Sequence, residues 1–175
     1  MNRKQITTRI LPGLLLIIAC VWLLCRISFP QNIFQQIRAE VYADGACIGT
    51  ETITIDGSKT GGLFTGKQEF YGRMHIPSAA QTASETLKMQ IFWDKELGYQ
   101  RIICIPQPGT VTNAEAIGLV PCMLTNRDMT QFALMLTDGT VIATSAELHA
   151  LYRQHITWDA STNRLSVTGP IPHID

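Results

Sequence analysis

The sequence predicts a mainly β domain, an antiparallel β-sandwich or partly closed barrel with one or two short helices, behind an N-terminal transmembrane helix. Three observations predict it. An uncharged apolar run lies between Arg9 and Arg26. From residue 33 onward, short apolar or alternating stretches are separated by glycine and Asx-Gly turns, as in antiparallel sheets. One stretch near the carboxyl end has a helix-capping pattern.

The composition is typical of one globular domain with an appendage. The 175 residues are 46% hydrophobic and 16% charged, with 14 Lys and Arg against 14 Asp and Glu. The two signs are segregated, because Arg3, Lys4, Arg9 and Arg26 precede every acidic residue. A basic head before an acidic body favours a membrane and argues against nucleic acid as a partner.

Residues 10–29 are predicted to form an uncleaved transmembrane helix in contact with membrane lipid. The sixteen uncharged residues would span about 24 Å, and the stems of Arg9 and Arg26 reach towards the headgroups on either side. An amphipathic core helix is excluded because polar residues do not recur at helical spacing. Pro30 ends the predicted helix.

The basic residues also predict an orientation. Three of them precede the span and one follows it, which places residues 1–9 in the cytoplasm. We therefore expect a single-pass protein of the cell membrane, with one extracytoplasmic all-β domain at residues 33–169 and a C-terminal tail at residues 170–175.

Other fates of the N-terminal segment stay open. A cleaved secretory signal would need small residues after Cys25, where the chain continues with Arg26. The residues before Cys20 resemble a lipoprotein lipobox, although the chain stays apolar after it, and Gly13 resembles a prepilin cleavage residue. The sequence therefore leaves open whether the segment is retained, cleaved or lipidated at Cys20.

Turns and alternation define the predicted strands of the body. Asp44-Gly45 and Asp138-Gly139 supply the positive φ that tight hairpin turns need. The run at residues 102–105 is expected to be covered on both faces and to end at Pro106. Residues 114–120 are a weaker helical candidate. The predicted strands cover residues 38–43, 47–55, 69–76, 87–93, 99–105, 129–136, 141–143, 156–158 and 165–168.

One stretch is clearly helical. Thr144 and Glu147 have the spacing of a capping box, in which each side chain bonds a backbone amide at the other residue. Leu148, Leu151 and Tyr152 follow on one face. This pattern predicts a helix of about ten residues that packs through its apolar side.

Motifs for catalysis, cofactors and metals were sought in the body. Its histidines have no ligand spacing, and the chain has no Walker loop, G-x-G-x-x-G, G-x-S-x-G or H-E-x-x-H. The aspartates beside glycines are explained as turn formers. We therefore expect no catalytic, cofactor-binding or metal-ligating residue and no cofactor, and we lean towards a protein that is not an enzyme.

The body contains Cys47, Cys104 and Cys122. Three cysteines close at most one disulfide, and the sequence does not choose among the pairings. The favoured interpretation is that they are buried, reduced thiols.

Trp93 and Trp158 are the candidate binding residues. Each ends an apolar strand, where an indole can stack on a sugar or a peptide or instead fill the core.

The turn Asp44-Gly45, residues 52–57 and Leu63-Phe64 precede a Phe70-x-Gly72 strand. This arrangement resembles small single-pass bacterial membrane proteins of uncharacterised function that carry a β-domain behind an N-terminal anchor. The resemblance implies an exported body and names no activity.

These observations together predict a membrane-anchored extracytoplasmic β-domain that acts as a non-catalytic binding or structural module at the cell envelope. Its partner would be an envelope protein or glycan. Two alternatives remain: an envelope enzyme whose site is assembled only in the fold, and an accessory subunit of a larger membrane complex.

Overall fold

The structure is a computed structural model that describes residue 22 and residues 28–62, 68–93, 97–172 and 174. Two 3₁₀ helices, Ala80–Ala83 and Ala114–Ile117, lie between strands. The other elements of the described part are β1 (Ser28–Ala43), β2 (Ala46–Gly62), β3 (Gln68–His75), β4 (Lys88–Trp93), β5 (Gln100–Gln107), β6 (Thr110–Asn113), β7 (Leu119–Thr125), β8 (Phe132–Leu136), β9 (Val141–Ala143), α1 (Ala146–His155), β10 (Ile156–Asp159) and β11 (Arg164–Val167).

Eight strands close into an antiparallel barrel. The sheet order is β4-β3-β2-β1-β9-β8-β7-β5-β6, and β4 also pairs with β5, which joins the two ends of the sheet. β5 pairs with β7 through its first two residues and with β6 further along. The predicted mainly β antiparallel fold is confirmed, and its form is a barrel.

The hairpin of β1 and β2 is the longest in the barrel. Asp44 and Gly45 form its turn with φ values of 50° and 80°, as predicted. β1 begins at Ser28, so residues 28 and 29 of the predicted span belong to a strand, and the β-domain begins before residue 33. Within the described chain, β1 pairs with β9 only at residues 40–42, so residues 28–39 have a strand partner on one side.

The barrel interior is filled by alternate strand residues. The predicted inward face of β3 is confirmed, because Phe70 and Met74 are buried while Tyr71 is exposed. The same alternation buries Ile53 and Ile55 on β2. Aliphatic and methionine side chains from the other strands complete this interior cluster.

A second hydrophobic core lies on the outer face of β7, β8 and β9, where α1 and the β10–β11 hairpin pack. Every residue of β8 is therefore buried. This two-sided burial was expected at residues 102–105, and that prediction is wrong. Ile103 and Ile105 are only partly buried, because α1 packs mainly on β8 and β9.

The C-terminal residues contribute to the second core. Ile171 is buried in it, and Ile174 packs against it. Both residues belong to the C-terminal tail predicted at residues 170–175.

The cap of α1 differs by one residue from the prediction. Ser145 is the N-cap, and its hydroxyl accepts a hydrogen bond from the Leu148 amide at 3.2 Å. The Thr144 hydroxyl instead accepts from the Phe132 amide at 3.0 Å. Thr144 therefore joins the start of α1 to β8, while the predicted length of ten residues is confirmed.

Two other local predictions are corrected. Residues 114–120 do not form an α-helix, because a 3₁₀ turn ends at Gly118 in a left-handed conformation and β7 follows. β5 continues through Pro106 to Gln107. Its register with β6 shifts between Cys104 and Gln107, where proline has no amide to donate.

None of the helices within the described ranges is long and apolar enough to cross a membrane. Most of the predicted span at residues 10–29 lies outside those ranges.

Candidate functional site

A groove of about 520 Å³ crosses the outer face of β1 to β4. It combines aromatic, polar and charged side chains with exposed backbone. Its lining residues are Asn32, Ile33, Phe34, Asp56, Gly57, Ser58, Tyr71, Gly72 and Lys88.

The floor of the groove is the backbone of Gly57 and Gly72, which are direct partners in the β2–β3 ladder. A Cβ atom on Gly57 would lie 2.5 Å from the Tyr71 carbonyl oxygen, and one on Gly72 would lie 2.4 Å from the Asp56 carbonyl oxygen. The ring of Phe70 packs against both positions from the barrel interior. The two strands approach this closely only because both positions are glycine.

The aromatic walls of the groove are Phe34 and Tyr71. Their side chains point outward because Ile33 and Phe70, their neighbours in β1 and β3, point into the barrel. Phe34 is 71% exposed and Tyr71 is 46% exposed. Exposed rings beside a concave floor are surfaces on which a ligand can stack.

The charged side chains that line the groove are Asp56 on β2 and Lys88 on β4. Arg73 Nη2 lies 2.8 Å from Asp56 Oδ2 across the β2–β3 ladder, and this hydrogen bond raises the pKa of Arg73. Lys88 lines the groove beside this pair and makes no ion pair with any residue that the structure describes. The groove therefore offers an ammonium group as well as the amide of Asn32 and the hydroxyl of Ser58.

The two tryptophans predicted to bind a ligand do not line this groove. Trp93 is partly buried and packs against the barrel interior, whereas Trp158 packs against the second core. Each indole Nε1 atom is buried without a hydrogen-bond partner among the described residues. The structure therefore separates Trp93 and Trp158 into different clusters.

The sequence did not identify Phe34 and Tyr71 as binding residues, for different reasons. Phe34 lies among polar residues in a stretch that was not assigned to a strand. Tyr71 was detectable, since the inward face predicted for Phe70, Gly72 and Met74 places Tyr71 on the outer face.

Cys47, Cys104 and Cys122, the cysteines that the structure describes, form no disulfide with one another. Cys104 lies in the barrel interior and Cys122 in the second core, and burial raises the pKa of Cys104 to about 12 and also raises that of Cys122. The prediction of buried, reduced thiols is confirmed for these two residues. Cys47 is also a free thiol, but its predicted burial is wrong, because it is exposed near the β1–β2 turn.

In the described ranges, no three His, Cys, Asp or Glu side chains lie close enough to hold a metal ion. Comparison with protein-family models, with curated proteins and with solved structures gives no match. The chemistry that the groove itself presents is stacking, hydrogen bonding and charge attraction.

Proposed function

We propose that this protein is a non-catalytic binding domain held at a membrane, and that the groove on β1 to β4 binds its partner at the cell envelope. The observation that supports this proposal is the pair of exposed rings, Phe34 and Tyr71, beside hydrogen-bonding groups and a backbone floor. Binding surfaces commonly combine aromatic anchors with a few convergent polar groups.

A glycan is the ligand class that this groove favours. A sugar ring has an apolar face that packs on an aromatic ring, and its hydroxyl groups exchange hydrogen bonds with amide and hydroxyl side chains. Asn32 and Ser58 supply those groups beside the rings of Phe34 and Tyr71. Lys88 would favour glycans that carry acidic substituents.

The membrane anchor in this proposal is residues 10–27, because residues 28 and 29 of the predicted span belong to β1. The apolar run and the excess of basic residues before it support a single span with the body outside the cytoplasm. β1 begins at Ser28, so the barrel would follow the span without a linker.

Protease accessibility of a C-terminal tag in intact cells stripped of their wall tests the anchor. Digestion of the tag from outside, with the full chain mass beforehand, is expected. Protection of the tag, or a chain shortened at its amino end, would contradict the proposed topology.

Ligand binding is tested with the full-length chain in lipid nanodiscs and soluble peptidoglycan fragments as the probe, by isothermal titration calorimetry. Phe34→Ala and Tyr71→Ala are each expected to weaken binding about fivefold to tenfold, because each removes a stacking surface. Ile48→Ala is the matched control, since Ile48 is 65% exposed and lies outside the groove. Absence of binding by the wild-type chain, or an equal loss in Ile48→Ala, would overturn the groove as the glycan site.

A further inference from the structure

Polar side chains point into the barrel at the end where the chain enters β1. We call this end the barrel mouth and define it by Gln35, Lys59 and Gln68. Residues opposite each other in a ladder point to the same face of the sheet. Each of these three residues lies opposite a residue that belongs to the interior cluster or packs against it. These partners are Ile55 for Gln35, Phe70 for Lys59 and Trp93 for Gln68.

Residues 126–131, the connection between β7 and β8, cover the barrel mouth, and we call them the cap. Lys59 Nζ donates to the Arg127 carbonyl oxygen at 3.0 Å and lies 3.0 Å from Asp128 Oδ1. Gln68 Nε2 donates to the same Arg127 oxygen at 2.7 Å. Gln35 Nε2 donates to the Asp128 carbonyl oxygen at 3.1 Å. Three strands thus hold the cap through their side chains.

The cap is organised by its own hydrogen bonds. Asn126 Oδ1 accepts from the amides of Thr130 at 2.9 Å and Gln131 at 3.1 Å. In the described chain, the cap has no backbone–backbone hydrogen bond to β1, β2 or β3. Its attachment to those strands therefore depends on the side chains at the barrel mouth and on the packing of Met129.

Met129 is the apolar part of the cap. It has a φ of 57°, a left-handed conformation that is uncommon for a residue with a side chain. Its side chain is fully buried in the interior cluster of the barrel. Burial of the thioether in the barrel therefore accompanies the left-handed backbone conformation of Met129.

Asp128 and Met129 together present a carboxylate to Lys59 and an apolar chain to the barrel interior. The Lys59 side chain is 14% exposed, so the cap shields its ammonium group, whereas the Asp128 side chain is 76% exposed, so its carboxylate can exchange this contact for water. Gln35 Oε1 is also buried without a partner among the described residues. This oxygen is an acceptor and needs a donor that an ionised head does not supply, so the group that the barrel mouth offers to an anion is the Lys59 ammonium.

We propose that the barrel mouth is a second binding site, separate from the groove, for a small molecule with an anionic carboxylate or phosphate head and a short apolar chain. The head takes the place of Asp128 at Lys59, and the chain takes the place of Met129 in the barrel. The cap and the ligand compete, because both use Lys59 and the same space.

The test measures the affinity of three soluble probes, hexanoate, hexyl phosphate and hexanol, for the full-length chain in zwitterionic nanodiscs by isothermal titration calorimetry. Empty nanodiscs supply the blank. Hexanol lacks the anionic head, so it is expected to bind at least tenfold more weakly than the better anion. Preference for hexanoate would indicate a carboxylate ligand, and preference for hexyl phosphate would indicate a phosphate ester.

Two substitutions are expected to change the affinity in opposite directions. Asp128→Asn weakens the cap's hold on Lys59 and is expected to tighten anion binding about tenfold, because the open state becomes more populated. Lys59→Gln removes the cation and is expected to weaken binding about tenfold, whereas Lys59→Arg keeps the charge and retains binding. Arg127→Gln is the matched control, because Arg127 meets the barrel mouth through its carbonyl oxygen.

Thermal unfolding of each variant confirms that it is folded before its affinity is compared. The proposal is overturned if Asp128→Asn binds neither anion, if hexanol binds as tightly as the anions, or if Lys59→Gln and Lys59→Arg behave alike. Tyr71→Ala is expected to leave anion binding unchanged, so failure at the barrel mouth is distinguishable from failure of the groove.

Discussion

The imidazole of His149 lies flat against the ring of Tyr42, with centroids 3.9 Å apart and an interplanar angle of 4°. The Tyr42 hydroxyl donates to the Glu40 carboxylate, and this hydrogen bond, with burial, raises the pKa of Tyr42 to about 12. Because His149 belongs to α1 and Tyr42 to β1, the stacked pair joins the outer layer to the barrel wall.

This contact predicts that the domain loses stability in mild acid. Burial and the nearby Arg153 charge lower the pKa of His149 below its ordinary value of 6.5. The unfolded chain therefore binds more protons, and the stability present above pH 6.5 is lost as the pH falls through the lowered pKa. Urea unfolding between about pH 7.5 and pH 5 measures the effect.

His149→Phe is the informative variant, because it keeps an aromatic ring on Tyr42 and removes the titrating group. Its unfolding free energy is expected to change less with pH than that of the wild-type chain. Hydrogen bonds from Ser161 and Thr162 lower the pKa of Asp159 from 3.8 to about 2. Asp159 therefore changes the stability only below about pH 4, outside the range in which His149 titrates. An unchanged pH slope in His149→Phe would contradict the assignment.

A single methyl group added at either of the paired glycines beneath the groove is expected to destabilise the domain. Gly57→Ala and Gly72→Ala are each expected to lower the free energy of unfolding by about 2 to 3 kcal/mol, because the new Cβ would meet backbone atoms of the opposite strand. Gly49→Ala on the same hairpin is the control, since no heavy atom lies within 4 Å of its Cβ position. Equal stability of all three variants in urea would contradict the close approach of β2 and β3.

Removal of the buried Tyr152 hydroxyl is expected to lower the stability of the domain. Its OH donates to the Cys122 carbonyl oxygen at 3.0 Å and so links α1 to β7 in the second core. Tyr152→Phe is expected to lower the free energy of unfolding by about 1 to 2 kcal/mol, because the carbonyl oxygen stays buried without its partner. Tyr71→Phe, at a half-exposed position, is expected to change it by less than about 0.5 kcal/mol.

The three cysteines of the body differ in exposure, so alkylation is expected to be selective. In the folded chain at pH 8, iodoacetamide is expected to label Cys47 and to spare Cys104 and Cys122, because burial blocks access to both thiols and raises their pKa values. Peptide mapping by mass spectrometry measures labelling at each site. All three are expected to react equally in guanidinium, and early labelling of Cys122 in the folded state would contradict its burial.

Local signals predicted most of the hairpins. Asp44-Gly45 and Asp138-Gly139 form turns where they were expected, because the residues that favour positive φ act within the turn itself. The β10–β11 hairpin and the ten-residue helix were predicted for the same kind of reason. The start of β1 was not predicted, since residues 28–37 are largely polar on one face and follow an apolar run.

The candidate site was much less predictable. Trp93 and Trp158 were candidates because an indole at the end of an apolar strand can stack on a ligand or fill the core, and in the fold they pack against two different cores. Phe34 and Tyr71 lie 37 positions apart in the chain, and only the register of β1, β2 and β3 brings their side chains to the same groove.

By itself, the sequence determined the mainly β class, the position of the tight turns and the inward face of β3, because turn residues and strand alternation act over a few neighbouring positions. The tertiary structure alone decided the closure of β4 on β5 and the covering of β8 by α1. It also decided that Lys59 meets Asp128, 69 residues away. Such contacts depend on how distant segments pack, and no local pattern of residues specifies that packing.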